Sequence, residues 1–127
     1  MMSNNWKENL WERDFTLPVL YDCYEGEEIL PSQENALKLL IKHPESLTKA
    51  LESVQKYILA DPMADIPGNM IANIFRYLKP KQLYLPRREG KCVAVLVCNY
   101  RFDPEHGIGI VFKDGLLTNV GMLDMVL

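Results

Sequence analysis

Apolar residues recur along the chain with three different rhythms. Phe15, Leu17, Val19 and Tyr21 fall on one parity, which predicts a strand over Phe15–Tyr24. Pro18 has no N–H to give, so that strand is expected at an edge or broken there. Trp6 and Leu10, four apart in an otherwise polar start, suggest a helical turn. Glu25-Gly26-Glu27 reads as a turn, with a short second strand at Glu28–Leu30. The rhythm then changes to three and four. Ala36, Leu37, Leu40 and Ile41 form one face of a helix opened by Pro31-Ser32, with Ser32 as its cap and Glu34 suited to the first turn. His43-Pro44 punctuates, and Leu47, Ala50, Leu51, Val54 and Ile58 make a clear amphipathic stripe closed by Asp61-Pro62. After a loop at Met63–Gly68, Asn69 is placed to cap a third, shorter helix bearing Ile71, Ile74, Phe75 and Leu78, stopped by Pro80.

The last third alternates again. Gln82–Leu85 is a short strand ended by Pro86, and Arg87–Lys91 a polar turn. Lys91–Phe102 is apolar on both parities through Cys98, the pattern of a central strand covered on both faces. Ile108–Lys113 and Leu116–Val120 flank Asp114-Gly115, a two-residue hairpin signal that requires positive φ. The prediction is an α+β domain spanning 1–127, with helices in the middle packed on a mainly antiparallel sheet and a C-terminal meander. Residues 1–14 are expected to be loosely ordered.

The 127 residues fit one domain, and 48% apolar with 24% charged residues is globular composition. A net charge of -3 argues against nucleic acid or an anionic membrane as partner and leaves a neutral or basic protein partner open. No apolar run is long enough to cross a bilayer, and the polar start has no signal-peptide pattern, so a cytoplasmic location is expected. Cys23, Cys92 and Cys98 form no CxxC pair and read as small buried hydrophobes. No cofactor is expected, and the oligomeric state is left open.

Candidate chemistry concentrates in Asn99–Gly109, where Asp103, Glu105 and His106 suit metal or acid–base work. A catalytic zinc site needs three protein ligands, and neighbours such as Glu105 and His106 point to opposite faces of a strand. His43 is the only other histidine. The competing reading is a loop whose carboxylates and imidazole bond their own surroundings. Gly107 and Gly109, two apart, would leave a bare stripe on one face for close approach of another group. Ser3, Ser32, Ser46 and Ser53 read as terminus, cap, first-turn or surface residues, and no GxSxG is present. Lys79, Lys81, Arg87, Arg88 and Lys91 could meet an anionic surface, or protect a sheet edge. Trp6 and Trp11, if exposed, would mark a contact surface.

Asp103-Pro104-Glu105-His106-Gly107-Ile108-Gly109, the following Asp114-Gly115 and the later Val120-Gly121-Met122-Leu123-Asp124 resemble a bacterial family of uncharacterised α+β domains with a Glu-His-Gly-x-Gly loop and a terminal Val-Gly-x-x-Asp. Ile29–Leu37 resembles the start of that family's helices, so the resemblance covers Phe15–Asp124. Phe102 stands where the family tends to have Trp, and Leu30 where it tends to have Thr. Some members are suspected immunity proteins of toxin systems. The resemblance implies a non-enzymatic protein-binding domain of that type, with Asp103, Glu105, His106, Gly107, Gly109 and Asp124 as its binding or conformational residues and a toxin or other protein as partner. It carries no catalytic residue or metal ligand. The rival expectations are a metal-dependent or acid–base hydrolase using Asp103, Glu105 and His106, and a structural or oligomerising module.

Overall fold

The computed structural model describes residues 5–126. Strands β1 (Asn5–Leu10) and β2 (Arg13–Tyr21) precede helices α1 (Pro31–Lys42) and α2 (Pro44–Ala60). Strands β3 (Leu78–Leu85), β4 (Val93–Tyr100), β5 (Ile108–Lys113) and β6 (Leu116–Met122) follow, then a one-turn helix α3 (Leu123–Val126). The six strands form one sheet in sequence order. Neighbours are antiparallel except β2 and β3, which run parallel. That exception follows from the connection: a parallel pair needs a long crossover, and both main helices lie between Tyr21 and Leu78. The molecule is therefore α+β, with a meander at its C-terminal end.

α1 packs over β3 and β4, and α2 over β5 and β6. Between helices and sheet lie Leu40, Val54, Ile58, Leu83, Leu96, Ile110 and Phe112, all essentially inaccessible. Each such side chain contributes about 1.5–3 kcal/mol relative to an exposed one. The alternation expected for β2 is present, with Leu17 and Val19 inward. β4 is apolar on both faces and lies inside the sheet, as its pattern predicts.

Pro18 does not mark an edge. β2 pairs with β1 from Arg13 to Pro18 and with β3 from Val19 to Tyr21. The proline sits where the strand exchanges one neighbour for the other, a position where its missing N–H matters least. Nor are residues 5–14 loosely ordered or helical. They form β1 and the turn into β2, with Trp6 and Leu10 buried in the core. A spacing of four satisfies both periods, since i and i+4 share a face in a strand as in a helix. Ser3 lies outside the described residues.

Three further local expectations are corrected. Glu28–Leu30 forms no strand; the Glu28 carbonyl accepts a 2.8 Å bond from Arg87, whose guanidinium also meets Glu27 at 3.3 Å. The α1 N-terminus is secured by Gln33 rather than Ser32. Gln33 Oε1 accepts from the Leu30 N–H at 2.8 Å, while its amide donates to the Asp22 and Leu85 carbonyls at 3.0 Å each. The third helix is absent, replaced by two 3₁₀ turns at Pro67–Asn69 and Ile74–Arg76. Gly68 and Asn69 hold left-handed φ of 65° and 53°, which a continuing helix cannot accommodate. Pro80 lies within β3, beside a register shift between Pro80 and Gln82. β2 reaches only Leu83–Leu85 of β3, so the exposed Lys79 and Lys81 lie on the half of the strand that pairs with β4 alone, an open stretch of sheet edge.

Candidate functional site

The Asp103–Gly109 segment joins β4 to β5, and it turns back on itself. The Asp103 carbonyl accepts from the Gly107 N–H at 2.9 Å, and the Tyr100 carbonyl accepts from the Asp103 N–H at 3.3 Å. His106 Nδ1 bonds both carboxylate oxygens of Asp103, at 2.9 and 3.1 Å. That bond, then the Asp103 charge, raises the His106 pKa above its ordinary value. Asp124 and Glu105 add weaker attractions of the same sign. Both Glu105 and Asp124 are exposed. Among the described residues, no three His, Cys, Asp or Glu side chains are grouped as around an ion.

The two glycines of this segment answer to different constraints. Gly107 has φ +71°, and a Cβ there would run into the Cys98 carbonyl. Gly109 lies opposite Val97 on one side and Gly121 on the other. Together they leave a bare stripe on the sheet face away from α1 and α2. α3 closes over it: a Cβ on Gly109 would come within 2.7 Å of Val126 and 3.0 Å of Leu123. The Leu123 N–H donates to the Gly107 carbonyl at 3.3 Å, so backbone and packing, more than Asp124, tie the loop to the C-terminal turn. The adjacent recess of about 420 Å³ is walled by Tyr57, Asp61 and Phe102. There Tyr100 donates to Asp61 at 2.8 Å, and burial, then that bond, raises its pKa.

The cysteines divide. Cys98 is fully buried, and burial pushes its thiol up. Cys23 and Cys92 are half-buried, and Cys23 Sγ accepts a 3.5 Å contact from Arg87.

A larger concavity lies elsewhere, a groove of about 800 Å³ between the β1–β2 hairpin tip, α2 and the second 3₁₀ turn. One wall is α2, presenting Pro44, Leu47, Thr48, Leu51 and Gln55 at helical spacing. Trp11, Ile74 and Phe75 face it, and Glu8, Glu12 and Arg13 stand at its rim. Trp11 is anchored by an indole N–H bond of 2.8 Å to the Leu47 carbonyl and packs 5.9 Å from Phe75. The Arg13 guanidinium lies 4.5 Å from the centre of the Phe75 ring.

Trp11 and Glu12 are the two residues of the hairpin tip, since Leu10 already pairs with Arg13. Both hold positive φ, 53° and 71°. This conformation costs an L-residue roughly 1–2 kcal/mol, and such tips normally carry Asn or Gly. Residue pattern did not reveal the groove, because nothing in Trp-Glu signals a tight turn. The signal available was Trp11 itself, an aromatic in a polar segment. Trp6, its companion, is buried.

Residues 2–127 match the family described as a domain of unknown function, DUF6985, and the chain belongs to that family. Neither curated proteins nor solved structures give a match. No helix among the described residues is long and apolar enough to cross a membrane.

Proposed function

We propose that this DUF6985 domain acts by binding another protein in the cytoplasm, as an immunity-type inhibitor that occludes a toxin, with no turnover of its own. The observation that carries this reading is the Trp11–Glu12 tip. Two non-glycine residues are held in a costly conformation at the mouth of a groove of about 800 Å³, and the indole is fixed there by a hydrogen bond. Strained, rigidly supported residues concentrate where a molecule makes contact. Aromatic side chains within a charged rim are the composition of protein interfaces. A net charge of -3 would steer the domain toward a basic partner. In this reading the Asp103–Gly109 loop braces the backbone and seats α3.

Co-expression with the product of the neighbouring gene tests it. The expected result is relief of that product's toxicity and co-elution of the two proteins as a complex. A toxic neighbour that remains fully toxic and elutes separately contradicts the reading. The His106–Asp103 pair supports a second reading, acid–base chemistry at an oriented imidazole. Hydrolysis of model esters or phosphoesters that His106→Ala abolishes would favour it over the first.

A further inference from the structure

We infer that the groove beside the Trp11–Glu12 tip receives a basic amphipathic helix of the partner protein, a proposal that rests on the protein-binding reading above. The shape argues for a helix. Pro44, Thr48, Leu51 and Gln55 run along the accessible side of α2 for three turns, about 16 Å at 1.5 Å per residue, with Leu47 buried and its carbonyl held by Trp11. A straight helical wall of that length offers ridges for a second helix to pack against. The opposite side is not a parallel helix but a ring cluster, Trp11 with Phe75, which leaves the groove open on its outer side. An amphipathic helix laid in such a groove buries its apolar stripe and keeps its polar face at the rim.

Charge sets the sign of that polar face. Glu8 and Glu12 stand on the rim and form no ion pair among the described residues. Arg13 is the one basic residue lining the groove, and its guanidinium is stacked on the Phe75 ring. A helix with lysine or arginine flanking an apolar stripe therefore meets two carboxylates, whereas an acidic helix meets repulsion at both. The tip's backbone serves the same end. A glycine at position 12 would relax the turn but would remove one of those two carboxylates.

The test uses the whole protein, ¹⁵N-labelled, and a synthetic amphipathic helical peptide with a leucine stripe and a lysine–arginine face. Controls are the same peptide with a glutamate face and a scrambled peptide of the basic composition. The expected result is saturable shifts of the Trp11 indole N–H and of backbone signals from Leu47 to Gln55 with the basic peptide alone. The double substitution Glu8→Lys, Glu12→Lys should weaken binding about ten-fold. Thr48→Arg, an exposed change that fills the groove without touching the core, should abolish the indole shift. Equal binding of the glutamate-faced or scrambled peptide, shifts confined to another surface, or indifference to Thr48→Arg overturns the assignment. Failure of the groove and failure of the reading separate in co-expression. Protection that survives Thr48→Arg removes the groove but keeps the inhibitor, whereas no protection by the native chain removes the inhibitor.

Discussion

Two hairpins of this sheet end in two-residue tips of the same hand, each with an exposed acidic residue, Asp114 or Glu12, and they differ in what the other tip residue is and what it meets. At Asp114–Gly115, φ values of 54° and 82° come from residues suited to them. At Trp11–Glu12, nearly the same values, 53° and 71°, are imposed on residues that resist them. The first tip is a structural joint. Gly115 packs against the Leu39 carbonyl and the His43 ring, and Ser46 Oγ donates to its carbonyl at 2.7 Å from a buried position. The second tip leaves Glu12 exposed and sets Trp11 beside an open groove. Nearly the same backbone geometry thus occurs once at low intrinsic cost with Gly115 buried, and once at high cost beside a groove. On the protein-binding reading, the difference separates a turn built to fold from a turn built to touch a partner.

The comparison can be broken most decisively at the buried joint. Gly115→Ala places a Cβ into the Leu39 carbonyl and forces an alanine to φ +82°. We expect it to lose about 3 kcal/mol or more in urea unfolding. A loss below half a kcal/mol would mean that the joint is not a constraint. Ser46→Ala removes the donor to the Gly115 carbonyl. It should cost about 1–2 kcal/mol in the same assay. An unchanged midpoint would place that carbonyl in water instead.

The smallest effect belongs to the β4–β5 turn, which is held by side chains rather than by its tip. His106 should titrate above its ordinary value of about 6.5 in an NMR pH series, and Asp103→Asn should bring it back. Because the folded pKa is the raised one, the pair's stabilising contribution is fully present below the unfolded value. It is lost as pH rises through the folded value. A normal titration in the native protein would show that the Asp103 bond does not persist in solution.

Residue pattern captured what repeats and what geometry forces. The α2 stripe from Leu47 to Ile58, the two-faced β4 and the Asp114-Gly115 turn each follow from a period or a backbone requirement that local residues express. It misled where two periods coincide, as for Trp6 and Leu10, and where tertiary partners outweigh local preference. Leu78 and Pro80 look like a helix end, yet they pair with Tyr100 and Cys98 of β4. Gln33 holds the start of α1 through carbonyls of Asp22 and Leu85, distant in sequence and therefore invisible to a capping rule that looks a few residues ahead. The acidic loop was legible in part. The spacing of Gly107 and Gly109 suggested one shared stripe, whereas Gly107 holds a positive-φ turn and Gly109 is bare opposite Gly121, and the His106–Asp103 bond needs a chain reversal that no periodicity announces. The groove was not legible at all, since its walls come from residues 8–13, 44–55 and 72–75 and meet only in the fold.

The central claim is that the Trp11–Glu12 tip is strained for the sake of contact, and Glu12→Gly tests it most directly. Urea unfolding and titration with the basic amphipathic peptide are measured on the same variant. The account predicts a stability gain of about 0.5–1 kcal/mol, as the turn relaxes, together with weaker peptide binding. A variant that is no more stable than the native protein, or one that binds the peptide as well as before, contradicts it.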